Sequence, residues 1–201
     1  MKKLIPIALT FALCACGGTR VVDTNDAKEI AAMQDVMELE YRDWTNTAQK
    51  MTESMTQSGA FKRVKNPIIA IGTIVNDTTQ RFDTDVLTKK IRTTLLKSGT
   101  AQVATTFSGE DTNSEKMRNL RSNSEYDANT IAKTGTLVAP NMSLTGKMLQ
   151  RNLKLESGWF SSVDTRVEYY LQLTLTDLTT GLSVWEDEQP IIKEGAHAPT
   201  W

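Results

Sequence analysis

Val167, Tyr169, Leu171, Leu173 and Leu175 occupy every second position of one stretch of the chain, which demands a β-strand with one apolar face. Thr179-Thr180-Gly181 follows as a turn, and the chain returns through Leu182, Val184 and Trp185. Upstream, Met142, Leu144, Gly146 and Met148 share a face at the same period. The C-terminal third is therefore an antiparallel hairpin system. The strands around Gln150 and Val167 are long enough to extend past the sheet as a ribbon.

The front half has a different rhythm. Pro67-Ile68-Ile69-Ala70-Ile71-Gly72-Thr73-Ile74-Val75 is a nearly continuous β-branched run, expected to be a strand buried on both faces. Asn76-Asp77-Thr78 ends it. Asp83-Thr84-Asp85 then offers a helix cap, Leu87, Ile91 and Leu95 form one helical face, and Ser98-Gly99 closes it. Val103-Ala104 reads as a short strand. Before the run, Trp44, Ala48, Met51 and Met55 make a helical stripe stopped by Gly59. Ile30, Met33 and Met37 predict an earlier helix from Asp26. After it, residues 115–121 form a weak helix, and Ser124-Glu125-Tyr126-Asp127 fits a capping box that starts a helix through Ile131, ended by Gly135. The fold class is thus α/β (α+β): a small mixed sheet flanked by helices, with a C-terminal antiparallel hairpin.

Composition narrows the function. The chain has 201 residues, 39% hydrophobic and 23% charged, a size and balance suited to one packed domain. Its 23 basic and 24 acidic residues sum to −1, which argues against a nucleic-acid partner. Both cysteines, Cys14 and Cys16, lie near the start, and the single histidine, His197, lies near the end. No metal site, cofactor or nucleophile–base relay is expected from so sparse a set. Carboxylates are plentiful, but none pairs recognisably for glycosidase work. No apolar run reaches the eighteen or so residues that span a bilayer.

The first fifteen residues have the build of a secretory signal: Met1-Lys2-Lys3 is the charged start and residues 4–13 are the apolar stretch. Leu13-Cys14-Ala15-Cys16 resembles the lipobox of bacterial lipoproteins, with a small residue before the acceptor. Cys14 is excluded as that acceptor because Leu13 precedes it. A thiol must take a diacylglycerol, and cleavage frees an amine for a third chain; two or more chains anchor stably where one does not. Gly17-Gly18 after Cys16, with no aspartate, points to the outer membrane, periplasmic face. Three segments follow: 1–15 signal peptide, 16–43 lipidated cysteine and short, partly helical tether, and 44–201 globular periplasmic domain.

From about Trp44 to Pro190 the chain resembles the LpoB family, outer-membrane lipoproteins that activate bifunctional peptidoglycan synthases (penicillin-binding proteins). The carrying residues are the lipobox, Asp43-Trp44 opening a Met-rich helix, the strand ending Val75-Asn76-Asp77-Thr78, the helix from Leu87 to Gly99, and the hairpin from Leu171 through Thr180-Gly181 to Trp185. The resemblance implies a small mixed sheet flanked by helices, no catalysis, and a penicillin-binding protein as partner. Two features depart from it: residues 17–43 make a short tether rather than a long Pro-rich one, and residues 155–164 are an insertion. Partner-contact residues do not carry over. An accessory lipoprotein of a secretion or surface-assembly system is the alternative.

The insertion contains Ser157-Gly158-Trp159-Phe160-Ser161-Ser162 where the two long strands should turn. Trp159 and Phe160 are either anchors for a partner, since aromatics dominate binding hot spots, or are folded back onto the sheet. Trp185 is expected in the core. Glu186-Asp187-Glu188 is expected as a solvated edge that discourages strand pairing. The anchoring expectation is tested by Cys16→Ala, which should abolish lipidation and leave the protein unprocessed or mislocalised. Fractionation of that variant with outer membranes after alkaline washing would remove the assignment.

Overall fold

The computed structural model describes residues 20–107, 111–155 and 165–195. They fall into two units, one up to Asp35 and one from Val36. In the first, helix α1 (Ala27–Ala31) is capped by the Asp26 carboxylate, which accepts from Lys28 N. At five residues it stops short of the expected stripe, leaving Met33 and Met37 outside. A helix that short gains too little from its own hydrogen bonds to propagate without packing.

The second unit holds helices α2 (Tyr41–Gln57), α3 (Asp85–Ser98) and α4 (Thr112–Asn119), with strands β1 (Ile68–Asp77), β2 (Gln102–Val103), β3 (Met142–Lys154), β4 (Thr165–Asp177) and β5 (Leu182–Gly195). The sheet order is β2-β1-β3-β4-β5; β1 runs parallel to both its neighbours, and β3, β4 and β5 are mutually antiparallel. The mixed α+β class and the C-terminal antiparallel strands are as the sequence predicts. Helices α2 and α3 lie side by side on one face, α2 over β5 and α3 over β1 and β2.

That face holds the core. Register places Leu144 opposite Leu175, Gly146 opposite Leu173, and Met148 opposite Leu171, so the two apolar rows of the hairpin share one face. Val167, Tyr169, Leu171, Leu173 and Leu175 are all fully buried, as are Met51, Met55, Ile91 and Leu95 from the helices. Trp185 is buried beside Leu175 as expected.

Three expectations are corrected. First, β1 is buried on both faces only over Ile69, Ala70 and Ile71; Thr73 and Val75 are exposed. A bulge between Ile71 and Ile74 inserts one residue, which returns Ile74 to the core face that strict alternation would have denied it. Second, residues 124–131 form turns instead of a helix. The Asn123 side chain takes Glu125 N and the Asp127 side chain takes Asn129 N, so local side chains capture the N–H groups a helix would need. Third, the ribbon beyond β1 has three strands, because β5 accompanies β4 as far as the Thr165–Gly195 pair.

The chain enters the second unit through residues 36–40, whose backbone is held by side chains. Lys193 Nζ donates to Val36 O (2.9 Å) and Glu38 O (2.7 Å) and pairs with Asp43 at 2.6 Å. Asp43 also accepts Glu40 N at 2.9 Å, closing the start of α2. Gln80 takes Leu39 N (2.9 Å) and returns a bond to Leu39 O. Tyr169 OH donates to Met37 O at 3.2 Å. Trp44 and Phe82 pack against each other nearby, ring centres 4.6 Å apart and planes tilted by 53°.

Two measurements test this packing. A Cβ on Gly146 would meet Leu173 Cδ2 at 2.4 Å and Gln172 O at 2.7 Å. Gly146→Ala should therefore cost ~1–3 kcal/mol or more in a denaturant melt; an unchanged midpoint would contradict the packing of Leu173. Burial, aided by Glu38 and Asp43, pushes the Tyr169 hydroxyl well above its ordinary value of 10.0. The unfolded chain therefore loses this proton first, and the contribution of Tyr169, intact below pH 10.0, declines as pH rises past it. Tyr169→Phe should cost ~1 kcal/mol at neutral pH and show a shallower loss of stability in alkali. Parallel alkaline slopes for the two proteins would refute the assignment.

Candidate functional site

Of the residues named from sequence, Cys16, Trp159 and Phe160 lie outside the described residues, as does His197. The strands that lead into the insertion are described as far as the Lys154–Thr165 pair. This end of the sheet is also where residues 36–40 join the domain, since Lys193 and Gln80 hold them there.

Little on the described surface is arranged for covalent chemistry. No group of three or more His, Cys, Asp or Glu side chains among the described residues could hold a metal ion. Ser54 Oγ donates to Asp187 at 2.5 Å, tying α2 to β5. Asp187 thus faces the helices, while Glu186 and Glu188 face away; the expected solvated acidic edge is realised by these two and by Glu194. Glu188 accepts from Gln172 at 2.7 Å, and Glu194 pairs with Arg166 at 2.6 Å. Glu168, 7% exposed, accepts a 2.6 Å bond from Tyr170 OH, which raises the Tyr170 pKa.

A concavity among the described residues lies at the other end of β1, where α3 gives way to β2. Gly99 adopts φ 65°, its N–H returns to Leu96 O, and the chain reverses. Gln102 N then bonds Pro67 O (3.0 Å), and Ala104 N bonds Ile69 O (2.9 Å). Asn141 holds the lining residues at the start of β1: its Oδ1 accepts Ile68 N at 2.8 Å, and its Nδ2 donates to Asn66 O at 3.1 Å. The resulting cleft, about 930 Å³, is lined by Pro67, Ile68, Leu96, Gly99, Val103 and Val138 among others. Leu96 and Val138 stand 53% and 68% exposed at its rim.

Its charge is one-sided. Lys65 precedes the lining residue Asn66, Lys97 follows Leu96, and Lys62 and Arg63 lie just upstream; all four are exposed. Neither residues 54–76 nor residues 86–107 contain a single aspartate or glutamate. The other described clefts along α3 each include a carboxylate, Asp85 or Asp111. Sequence reading did not single out this place, although the acid-free stretches were visible. Residues 62–65 and 97 come together only through the pairing of β1 with β2.

No helix among the described residues is long and apolar enough to cross a membrane. The chain is similar to the C-terminal domain of LpoB from Salmonella enterica, at 15% identity and TM-score 0.45, covering 74% of this chain and 98% of that one. The corresponding domain from Escherichia coli gives 12% and 0.43 over the same shares. The solution structure of Escherichia coli LpoB gives 14% and 0.41 over 94% of this chain and 90% of that one. No curated protein sequence matches the chain. The family described as peptidoglycan-synthase activator LpoB matches residues 43–191 in sequence, from the Asp43 that closes the start of α2 to Ile191 in β5. With well over half of its length so matched, the chain belongs to the LpoB family.

Proposed function

We propose that this chain is an outer-membrane lipoprotein, anchored through Cys16, that binds a bifunctional peptidoglycan synthase and raises its rate without acting on the wall itself. The observation that carries this reading is the family match over residues 43–191. Activation by a non-enzyme requires only that the chain bind the active conformation of the synthase more tightly than the resting one, since a ligand shifts an equilibrium by its differential affinity.

Geometry is compatible with a bridging role. Residues 17–35 span at most about 65 Å when extended, and less where α1 forms. Within the domain, the ten residues of β1 separate residues 36–40 from the cleft by ~30 Å.

The test uses the full-length lipoprotein in detergent with the purified synthases of the same organism. Glycan polymerisation by one of them should rise several-fold on addition of the chain, and wall material should not be turned over by the chain alone. Cross-linking in cells should recover a penicillin-binding protein. Recovery of a secretion-channel component, with no change in polymerisation, would replace this reading with that of an accessory lipoprotein.

A further inference from the structure

We infer that the synthase docks at the basic cleft between α3 and β2, through an acidic element that places an apolar side chain against Leu96 and Val138. The inference rests on the activator reading and adds the surface and the chemistry of the contact. Three independent features of the domain converge on it.

The first is shape and composition together. The cleft combines an apolar floor, from Pro67, Ile68 and Val103, with exposed apolar side chains at its mouth. Specific interfaces share this plan of apolar centre and charged rim. Its walls are set by backbone bonds and by Asn141, so a partner meets a preformed surface and little ordering cost remains for binding.

The second is charge. Exposed Lys65 and Lys97 directly adjoin the lining residues Asn66 and Leu96 in the chain, exposed Lys62 and Arg63 lie just upstream, and the described lining itself holds no charged residue. Across the sheet at this level, the first carboxylate beyond β1 and β3 is Asp177 at the end of β4. That group accepts Thr179 N at 2.8 Å, which holds its carboxyl below the usual range. With no acidic residue in the stretches 54–76 and 86–107 that carry them, the basic groups favour an acidic partner. The opposite edge, β5, carries exposed Glu186, Glu188 and Glu194, and would repel that same partner.

The third is position. Residues 36–40 are fixed to Gln80 and Lys193 at one end of the sheet, whereas the cleft opens at the start of β1, the other end. A partner seated in the cleft therefore does not compete for space with the entry of the chain at residues 36–40.

The experiment measures association and dissociation rates of the full-length lipoprotein with the purified full-length synthase, both in detergent. Lys65→Glu with Lys97→Glu should slow association at least tenfold while dissociation changes less, because rim charges act mainly on encounter. Wild-type association should also fall as salt rises from about 50 to about 200 mM, and the double variant should lose most of that dependence. Thermal melts should coincide. If the charge-reversed protein folds poorly, Lys65→Gln with Lys97→Gln replaces it, with a threefold slowing expected. Glu186→Lys with Glu188→Lys should leave association unchanged or faster. Association untouched by changes at Lys65 and Lys97, or slowed only by those at Glu186 and Glu188, overturns the docking surface while leaving the activator reading intact. Absence of any binding by the wild-type chain to every synthase of its organism overturns both.

Discussion

A sheet packed by helices on one face must place its large apolar side chains there, and β4 sets the terms. Its five-residue row from Val167 to Leu175 is fully buried, flanked by β3 and β5, and belongs to one core cluster with the apolar faces of α2, α3 and β1. The fit leaves little slack: Leu173 occupies the space a side chain at position 146 would need, so β3 presents glycine there. The β1 bulge serves the same requirement, because it turns Ile74 toward that face opposite Gly146. In β5 a bulge next to Leu175 lets the adjacent Val184 and Trp185 both pack against the core. Irregularities in the flanking strands thus keep the central row regular.

What sequence revealed and what it hid follow from the range of the interactions involved. The period-two rows and the stripe Trp44, Ala48, Met51 and Met55 are local signals, and each became the element they announced. The helix expected at residues 124–131 failed on competition between two local signals. A capping pattern was present, but Asn123 and Asp127 bind nearby N–H groups, and Ile131 alone is buried there. The strand bulges were invisible because a bulge is defined by its partner. The basic cleft was invisible for the same reason: Lys65 and Lys97 are thirty-two positions apart, and only the β1–β2 pairing joins them.

A near-zero net charge also conceals an arrangement. The strand order puts acid-free segments at the β2 edge and three exposed glutamates on β5, so the charges that cancel in the total are separated across the sheet. At the β5 edge this has a protective side. Pro190 lies on that edge strand, and Asp187 and Lys193 point inward from it. Prolines and inward charges are the devices by which exposed strands avoid pairing with other chains.

The entry of the chain at residues 36–40 has a mechanical consequence. Any tension on the N-terminal segment reaches the domain first at Val36, Met37, Glu38 and Leu39. These are held to β5 through Lys193, to β4 through Tyr169, and to the segment after β1 through Gln80. The load is therefore divided among several elements at once, and no single strand is peeled from the sheet by itself. Bonds loaded side by side must fail together, whereas bonds loaded in sequence fail one by one. Resistance to a pull is a matter of unfolding rate rather than equilibrium stability, and this cluster of side-chain contacts stands first in the path of such a load.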